Sequence, residues 1–258
     1  MPLDAYADPV ATTDGRVPGE RGRQTRQRLL DATVELLSTT SWRSVKVTDI
    51  ARRARTSPAT FYQYFGNVEQ AIRVLAEGMV DQAAQLAELV GGDWSEERSW
   101  DTARTVTESF LSYWEDNRAV FRVVDLATEE GDAQLRGIRV RALNAVTVAL
   151  AQVIVAASPA PDGGPSGVTC SPAGADPMAV AGTLVAMFAS VSAHRYGFEF
   201  WGIRTANLID SQARMLHWAV TGRPAPAAEI PPREATRPRT GPLLGGATAA
   251  RRRGPIPT

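Results

Sequence analysis

The 258-residue sequence predicts an all-α protein built from a short N-terminal three-helix unit and a larger C-terminal helical domain. Three observations carry that prediction. Apolar residues recur at helical spacing through most of the chain. Helix-start residues stand where those runs begin, at Ser57-Pro58, Asn67, Asp132 and Asp176-Pro177. No stretch alternates apolar and polar residues in the manner of a half-buried strand.

Taken in order, residues 1–20 are rich in Pro, Gly, Asp and Thr without periodicity and read as a disordered arm. From Gln24 to Leu37, Leu29, Leu30, Ala32, Val34, Leu36 and Leu37 interleave with Arg26, Gln27, Asp31 and Glu35, an amphipathic helix. Thr39-Thr40-Ser41 is a break. A short second helix covers Val47–Ala54 with Ile50, Ala51 and Ala54 inward, and Ala51 is small enough for another helix to cross closely. Ser57 caps a third helix, Pro58–Phe65, which Gly66 ends. Asn67 caps a fourth from Val68 to Leu89, interrupted only by Gly78 and stopped at Gly91-Gly92.

The rest is also helical. Thr102–Glu115 and Arg118–Glu130 carry aromatic inner faces, and Asp132 caps a helix that runs to Ala157. Ser158–Ala175, rich in Pro, Gly and Ser, reads as a loop. Asp176 caps a single apolar helix over Pro177–Phe200, and a last helix spans Thr205–Val220. From Thr221 onward Pro, Ala, Gly and Arg recur without period, as in a disordered tail. The resulting division is an arm at 1–20, a helix-turn-helix unit at 21–70, a helical domain at 71–221 and a tail at 222–258.

Charge is distributed unevenly along a chain whose net charge is zero. Residues 16–60 hold ten cations (Arg16, Arg21, Arg23, Arg26, Arg28, Arg43, Lys46, Arg52, Arg53, Arg55) against four anions (Glu20, Asp31, Glu35, Asp49). Residues 61–130 reverse the balance, with fourteen anions against five arginines. A basic block on an otherwise acidic chain is the footprint of a polyanion, or else a solvated charged face. The acidic start lacks the apolar run of a secretory signal, and no uninterrupted apolar run reaches the length a membrane helix requires. One cysteine, Cys170, makes neither a disulfide framework nor a metal cluster. The expectations are a cytoplasmic location, no membrane partner, no metal and no cofactor.

Arg55-Thr56 is the turn between the two short helices. At helical spacing Phe61 and Phe65 fall beside Ile50 and Ala51 and belong to the core. Pro58, Ala59, Thr60, Tyr62 and Gln63 fall largely on the opposite face, where a recognition helix enters a major groove. Tyr62 and Tyr64 are hard to place inside an already filled core, and their hydroxyls can bond to phosphate oxygens. Gln63 is the best candidate for reading a base, because its amide can pair bidentately with adenine. Ala59 suits a thymine methyl.

The run "RLLDATVELLSTTSWRSVKVTDIARRARTSPATFYQYFGNVEQAI", residues 28–72, resembles the TetR family of bacterial transcriptional regulators, with "TDIA", "TFYQYF" and the capped helix after them in register. "NRAVFRVVDLATEEGDAQLRGI" at 117–138 resembles, more weakly, the effector domain common in that family. The resemblance implies contacts to double-stranded operator DNA from Thr48, Pro58, Ala59, Thr60, Tyr62, Gln63 and Tyr64. Three positions depart from the family pattern: Arg55 replaces a turn glycine, Val68 a lysine and Lys46 a Ser/Thr cap. Arg23, Arg26, Lys46 and Arg55 are candidate extra phosphate contacts. Arg21 and Arg23, ahead of the first predicted helix, and Arg26 in its first turn either lie along the minor groove or belong to a solvated arm.

The resemblance further implies that residues from about 80 to 220 form a ligand-binding domain, whose last two helices pair with their copies in a homodimer. Leu208, Ile209, Met215, Leu216 and Trp218 are the candidate partner face, and His217 is expected near it. Phe110, Trp114, Phe121, Met187, Phe188 and His194 are the candidate lining of a site for an apolar or aromatic effector, with plain core packing as the alternative. The functional expectation is a dimeric regulator, a repressor, that a small molecule releases from a pseudo-palindromic operator. The alternative is a helix-turn-helix regulator whose helical domain binds a protein or peptide. Enzyme chemistry finds no paired nucleophile and base, no phosphate-cradling glycine loop and no metal spacing.

Overall fold

The structure, a computed structural model, describes residues 12, 13, 15, 17–157 and 174–227. The expected arm before residue 12, with Arg16, most of the expected loop with Cys170, and the tail from residue 228 lie outside the described residues. Among the described residues every regular element is helical. In chain order these are α1 (Glu20–Thr39), a single 3-10 turn at Trp42–Ser44, α2 (Val47–Arg53), α3 (Pro58–Tyr64), α4 (Val68–Val90) and α5 (Ser99–Asp116). They continue with α6 (Arg118–Glu129), α7 (Ala133–Ala157), α8 (Pro177–Ala193), α9 (Arg195–Phe200) and α10 (Thr205–Thr221).

Local chemistry fixes most of the helix starts. Ser57 Oγ accepts from the Thr60 amide at 3.1 Å, and Asn67 Oδ1 accepts from the Gln70 amide at 2.8 Å. The Gln70 side chain reaches back to the Gly66 amide at 2.6 Å, close to a capping box. Asp132 Oδ1 takes the amides of Gln134 and Leu135, and Asp176 Oδ1 takes that of Ala179. Each contact satisfies donors that a helix N-terminus leaves unpaired.

Two expected boundaries change. The first helix begins at Glu20 rather than Gln24, so Arg21 and Arg23 are helical and do not belong to an extended arm. The single apolar helix expected over Pro177–Phe200 is broken at His194, whose backbone leaves helical geometry at φ −108° and ψ 18°. There the imidazole Nδ1 turns back to the Ser190 carbonyl at 2.9 Å. Arg195 then starts α9, ion-paired to Glu115 at 3.1 Å and Glu199 at 3.2 Å.

Phe61 and Phe65 fill the N-terminal unit together with Leu29, Leu30, Leu37 and Ile50, all essentially inaccessible. This core runs without interruption into the C-terminal domain along α4, which buries Ala71, Ile72, Leu75, Ala76 and Met79. Helix α4 packs most extensively on α7, which also carries α8, while α10 lies on α5. Helix α7 is long and apolar enough in composition to cross a membrane, yet it buries Leu135, Ile138, Val146, Leu150 and Ile154 within this bundle. Polar ties set α5 against α4: Tyr113 Oη donates to the Met79 carbonyl at 3.0 Å, and Asn117 Nδ2 to Gln82 Oε1 at 2.7 Å.

Candidate nucleic-acid interface and ligand cleft

Helix α3 has only seven residues, fewer than a helix needs to persist alone in water, so packing must hold it. Phe61 and Phe65 supply that packing, with ring centroids 5.4 Å apart in the core. Pinning one face leaves the other outward. Pro58, Ala59, Tyr62 and Gln63 are exposed, Tyr62 at 52%, and Thr60 is half-buried. The Tyr62 ring stands edge-on to Phe61 at 5.8 Å, so its base is braced while its hydroxyl end is free to reach outward. Thr48 and Lys46 are exposed at the start of α2.

The turn between α2 and α3 is made by Arg55 at φ +54°, the one non-glycine residue with positive φ among the described residues. Its side chain is exposed next to the outward face of α3. The backbone therefore takes the left-handed geometry that favours glycine, with an arginine in the position.

Two expectations about this surface are corrected. Arg26 is buried at 7% exposure and its guanidinium lies 5.6 Å over the Phe65 ring, so it braces the core and offers no phosphate contact. Tyr64 is half-buried, packed against the core with its ring 6.5 Å from Phe65 and its hydroxyl beside Gly22 of α1. Arg23 is exposed but ion-paired to Glu20.

The second candidate site is a cleft of about 1210 Å³ that opens between α1, α6, the C-terminal end of α5 and the α8–α9 break. Trp114 and Phe121 line it as a stacked pair, 3.9 Å between centroids and 6° from parallel. His194 and Tyr196 line it from the broken helix, and Val34 and Ser38 from α1. Its remaining wall is charged. Arg139 pairs with Asp125 at 2.6 Å and Glu115 with Arg195, whereas Arg118 has no carboxylate partner among the described residues.

This corrects the expected ligand lining. Trp114, Phe121 and His194 meet at the cleft, but Phe110, Met187 and Phe188 do not line it. Phe110 stacks on Trp114 and meets Phe188 at 5.3 Å, so these rings fill one another's space as core. The cleft is amphipathic rather than wholly apolar. Arg118, Arg122 and Ser38 are not legible as cleft residues in the sequence, because a polar residue on an amphipathic helix carries no cavity signal of its own.

Contacts across the α1–α6 junction join the cleft to the N-terminal unit. Arg122 of α6 donates to the Leu37 carbonyl, and reaches that of Thr40 at 3.5 Å, at the end of α1. Arg43, after α1, pairs with Glu130 at the end of α6, and this hydrogen bond holds the Glu130 carboxyl below its usual range. Arg122 is itself part of the cleft wall.

On the far side, α10 divides differently from the expected partner face. Leu216 is inaccessible and belongs to the core, whereas Met215 and Trp218 are 52% and 54% exposed. Met178 of α8 and Trp201 after α9 are also exposed. His217 lies inside the protomer rather than at a partner face: its Nε2 meets Ser99 Oγ at 3.1 Å and its Nδ1 the Arg223 carbonyl at 3.2 Å. Burial lowers its pKa below the ordinary histidine value.

Comparison with known proteins agrees with the fold. Residues 29–73 match the family described as bacterial regulatory proteins, tetR family, and residues 86–227 match the tetracyclin repressor-like C-terminal domain. No curated protein matches the sequence significantly. Among solved structures, the fatty acid degradation regulator FadR from Bacillus halodurans superposes with a TM-score of 0.56 at 13% identity, over 77% of this chain and 95% of its own. FadR from Bacillus subtilis, solved in complex with stearoyl-CoA, superposes with a TM-score of 0.54 at 17% identity, over 76% and 98%. A Clostridium perfringens protein named for a proposed role in regulating fatty acid metabolism gives 0.52 at 14%, over 76% and 97%. At these identities the likeness is one of fold.

Proposed function

Because the chain belongs to the TetR family of bacterial transcriptional regulators, we propose that it is a cytoplasmic repressor that binds a pseudo-palindromic operator as a homodimer. An amphipathic small molecule in the α1–α6 cleft then releases it. The observation that carries the reading is the division of α3: Phe61 and Phe65 lock one face into the core while Tyr62 and Gln63 stand exposed on the other. In a major groove, Gln63 reads a base edge and Thr60, Tyr62, Thr48 and Lys46 meet phosphates or groove walls. Arg55 adds charge at the turn.

Homodimerisation supplies the two-fold symmetry that a palindromic site mirrors. The exposed Met178, Met215 and Trp218 offer apolar surface for a second copy on α8 and α10. Release follows from the position of the cleft, whose walls include both α1 and the Arg122 that holds the end of α1. A ligand that binds better when these elements separate shifts the dimer away from its operator-binding arrangement. The stacked Trp114–Phe121 pair suits an apolar or aromatic part, and Arg118 suits an anionic group. Acyl-CoA thioesters combine an apolar chain with phosphates and belong in the ligand screen, since a protein of this fold is solved with stearoyl-CoA.

Selection of bound duplexes from a random pool tests the proposal. The expected outcome is a pair of inverted half-sites with half-site centres about one helical turn apart or a multiple of it. Recovery of unrelated sequences, or of a single asymmetric site, would overturn it. An enriched half-site with no response to any small molecule would favour the protein- or peptide-binding alternative for the helical domain.

A further inference from the structure

The last carbonyls of a helix have no partner within it, and in a helix of seven residues they are a large share of the backbone. At the end of α3 the Phe61 carbonyl is met by the Phe65 amide at 2.9 Å. The next two, of Tyr62 and Gln63, are met from far away in the sequence. The Thr13 amide donates to the Gln63 carbonyl at 2.9 Å. Thr13 Oγ1 lies 3.0 Å from the Tyr62 carbonyl and 3.2 Å from that of Gln63. One threonine from the segment before α1 thus caps two exposed residues on the outward face of α3.

The seat of this segment is built. The Gly15 amide donates to the Thr12 carbonyl at 2.8 Å, and Gly15 has φ +81°, closing a turn that presents Thr13. Pro18 then lies over Gly22 of α1. A Cβ on Gly22 would stand 2.7 Å from Pro18 Cβ and 3.3 Å from Tyr64 Oη. Lack of a side chain at Gly22 is what lets Pro18 and the Tyr64 hydroxyl approach α1 at the same point.

We infer that Thr13 is a positioning residue for sequence reading: it clips the segment before α1 onto the C-terminal carbonyls of α3 and fixes the backbone that carries Tyr62 and Gln63. The inference rests on α3 being the recognition helix. An unclipped seven-residue helix frays from its last turn, and a glutamine on a fraying turn loses the fixed direction that two simultaneous bonds to one base require. Contacts to phosphate tolerate that motion better, so the clip acts on discrimination more than on general DNA affinity.

The test uses the full chain, a duplex selected from random sequences and a scrambled duplex of the same composition. Thr13→Ala is expected to weaken binding to the selected duplex about fivefold, to leave the scrambled duplex nearly unchanged, and to speed amide exchange at Tyr64 and Phe65 in the free protein. Thr13→Ser is expected to restore all three. Gly22→Ala, which improves helix propensity but forces Pro18 away, is expected to act like Thr13→Ala. Wild-type discrimination in Thr13→Ala, faster exchange with unchanged discrimination, or failure of Thr13→Ser to rescue would each overturn the inference. Gln63→Ala serves as control: if it leaves discrimination intact, the assignment of α3 fails, and the exchange rates still report whether the clip exists.

Discussion

The indole of Trp114 lies flat on the ring of Phe121, 3.9 Å apart between centroids, and the pair lines a cleft shared with Val34 and Ser38 of α1. Both rings are almost fully buried, so the wall they form is rigid and exposes little aromatic surface to a ligand in this conformation. A thermal-shift series with amphipathic anions should raise the melting temperature in proportion to the logarithm of ligand concentration. Arg118→Ala and His194→Ala should reduce the shift about tenfold in apparent affinity. Met187→Ala, away from the cleft, should not.

Arg122 joins the cleft wall to the end of α1 through the Leu37 and Thr40 carbonyls. Arg122→Ala removes charge-assisted bonds from an exposed residue and should lower stability by about 1 kcal/mol in denaturant unfolding. Ligand should still bind the variant, measured by calorimetry, but operator release should be blunted. Equal release in the variant and the wild type would place the coupling elsewhere.

His217 is buried at 4% exposure between Ser99 and the Arg223 carbonyl. The carbonyl can only accept, so Nδ1 carries the proton and Nε2 accepts from the Ser99 hydroxyl. Desolvation lowers the folded pKa below 6.5, so the unfolded chain takes up a proton first as pH falls. The stabilising contribution is complete above the unfolded value and is lost as pH falls from about 6.5 through the folded pKa. Melting temperatures between pH 8 and pH 5 should therefore decline, and His217→Gln should flatten the decline across that window.

Arg55 holds a left-handed conformation at φ +54°. Arg55→Gly removes the Cβ clash of that geometry and should stabilise the fold by about 1 kcal/mol, read in thermal or denaturant unfolding. The same change deletes a cation beside α3, so DNA affinity should fall and its salt dependence should become shallower by about one charge. A more stable protein with weaker, less salt-sensitive binding is the expected signature.

Much of this fold is legible in the sequence because its signals are local. Ser57, Asn67, Asp132 and Asp176 each cap the next helix, within three residues of the amides they accept from. The split of α3 into a core face and an outward face needs only helical spacing. What was not legible depends on partners distant in the chain. Arg26 is a charged residue on an amphipathic helix, and its burial follows from Phe65 arriving above it. Phe110 and Phe188 read as cavity lining until the structure shows them closing on each other. At His194 the imidazole shares the Ser190 carbonyl with the residue's own amide, a contact no propensity records. Thr13 lies in a stretch without periodicity, and its contacts are with residues 49 and 50 positions away.

In the proposed function, the outward face of α3 reads an operator through Gln63. Fluorescence anisotropy with a selected duplex and its scrambled counterpart, at one fixed salt concentration, tests it most directly. Gln63→Ala is predicted to lose about tenfold or more on the selected duplex, with scrambled DNA bound as by the wild type. Tyr62→Ala, placed against the backbone, should weaken both duplexes together. Unchanged preference for the selected duplex in Gln63→Ala, combined with wild-type binding by Tyr62→Ala, would contradict the claim.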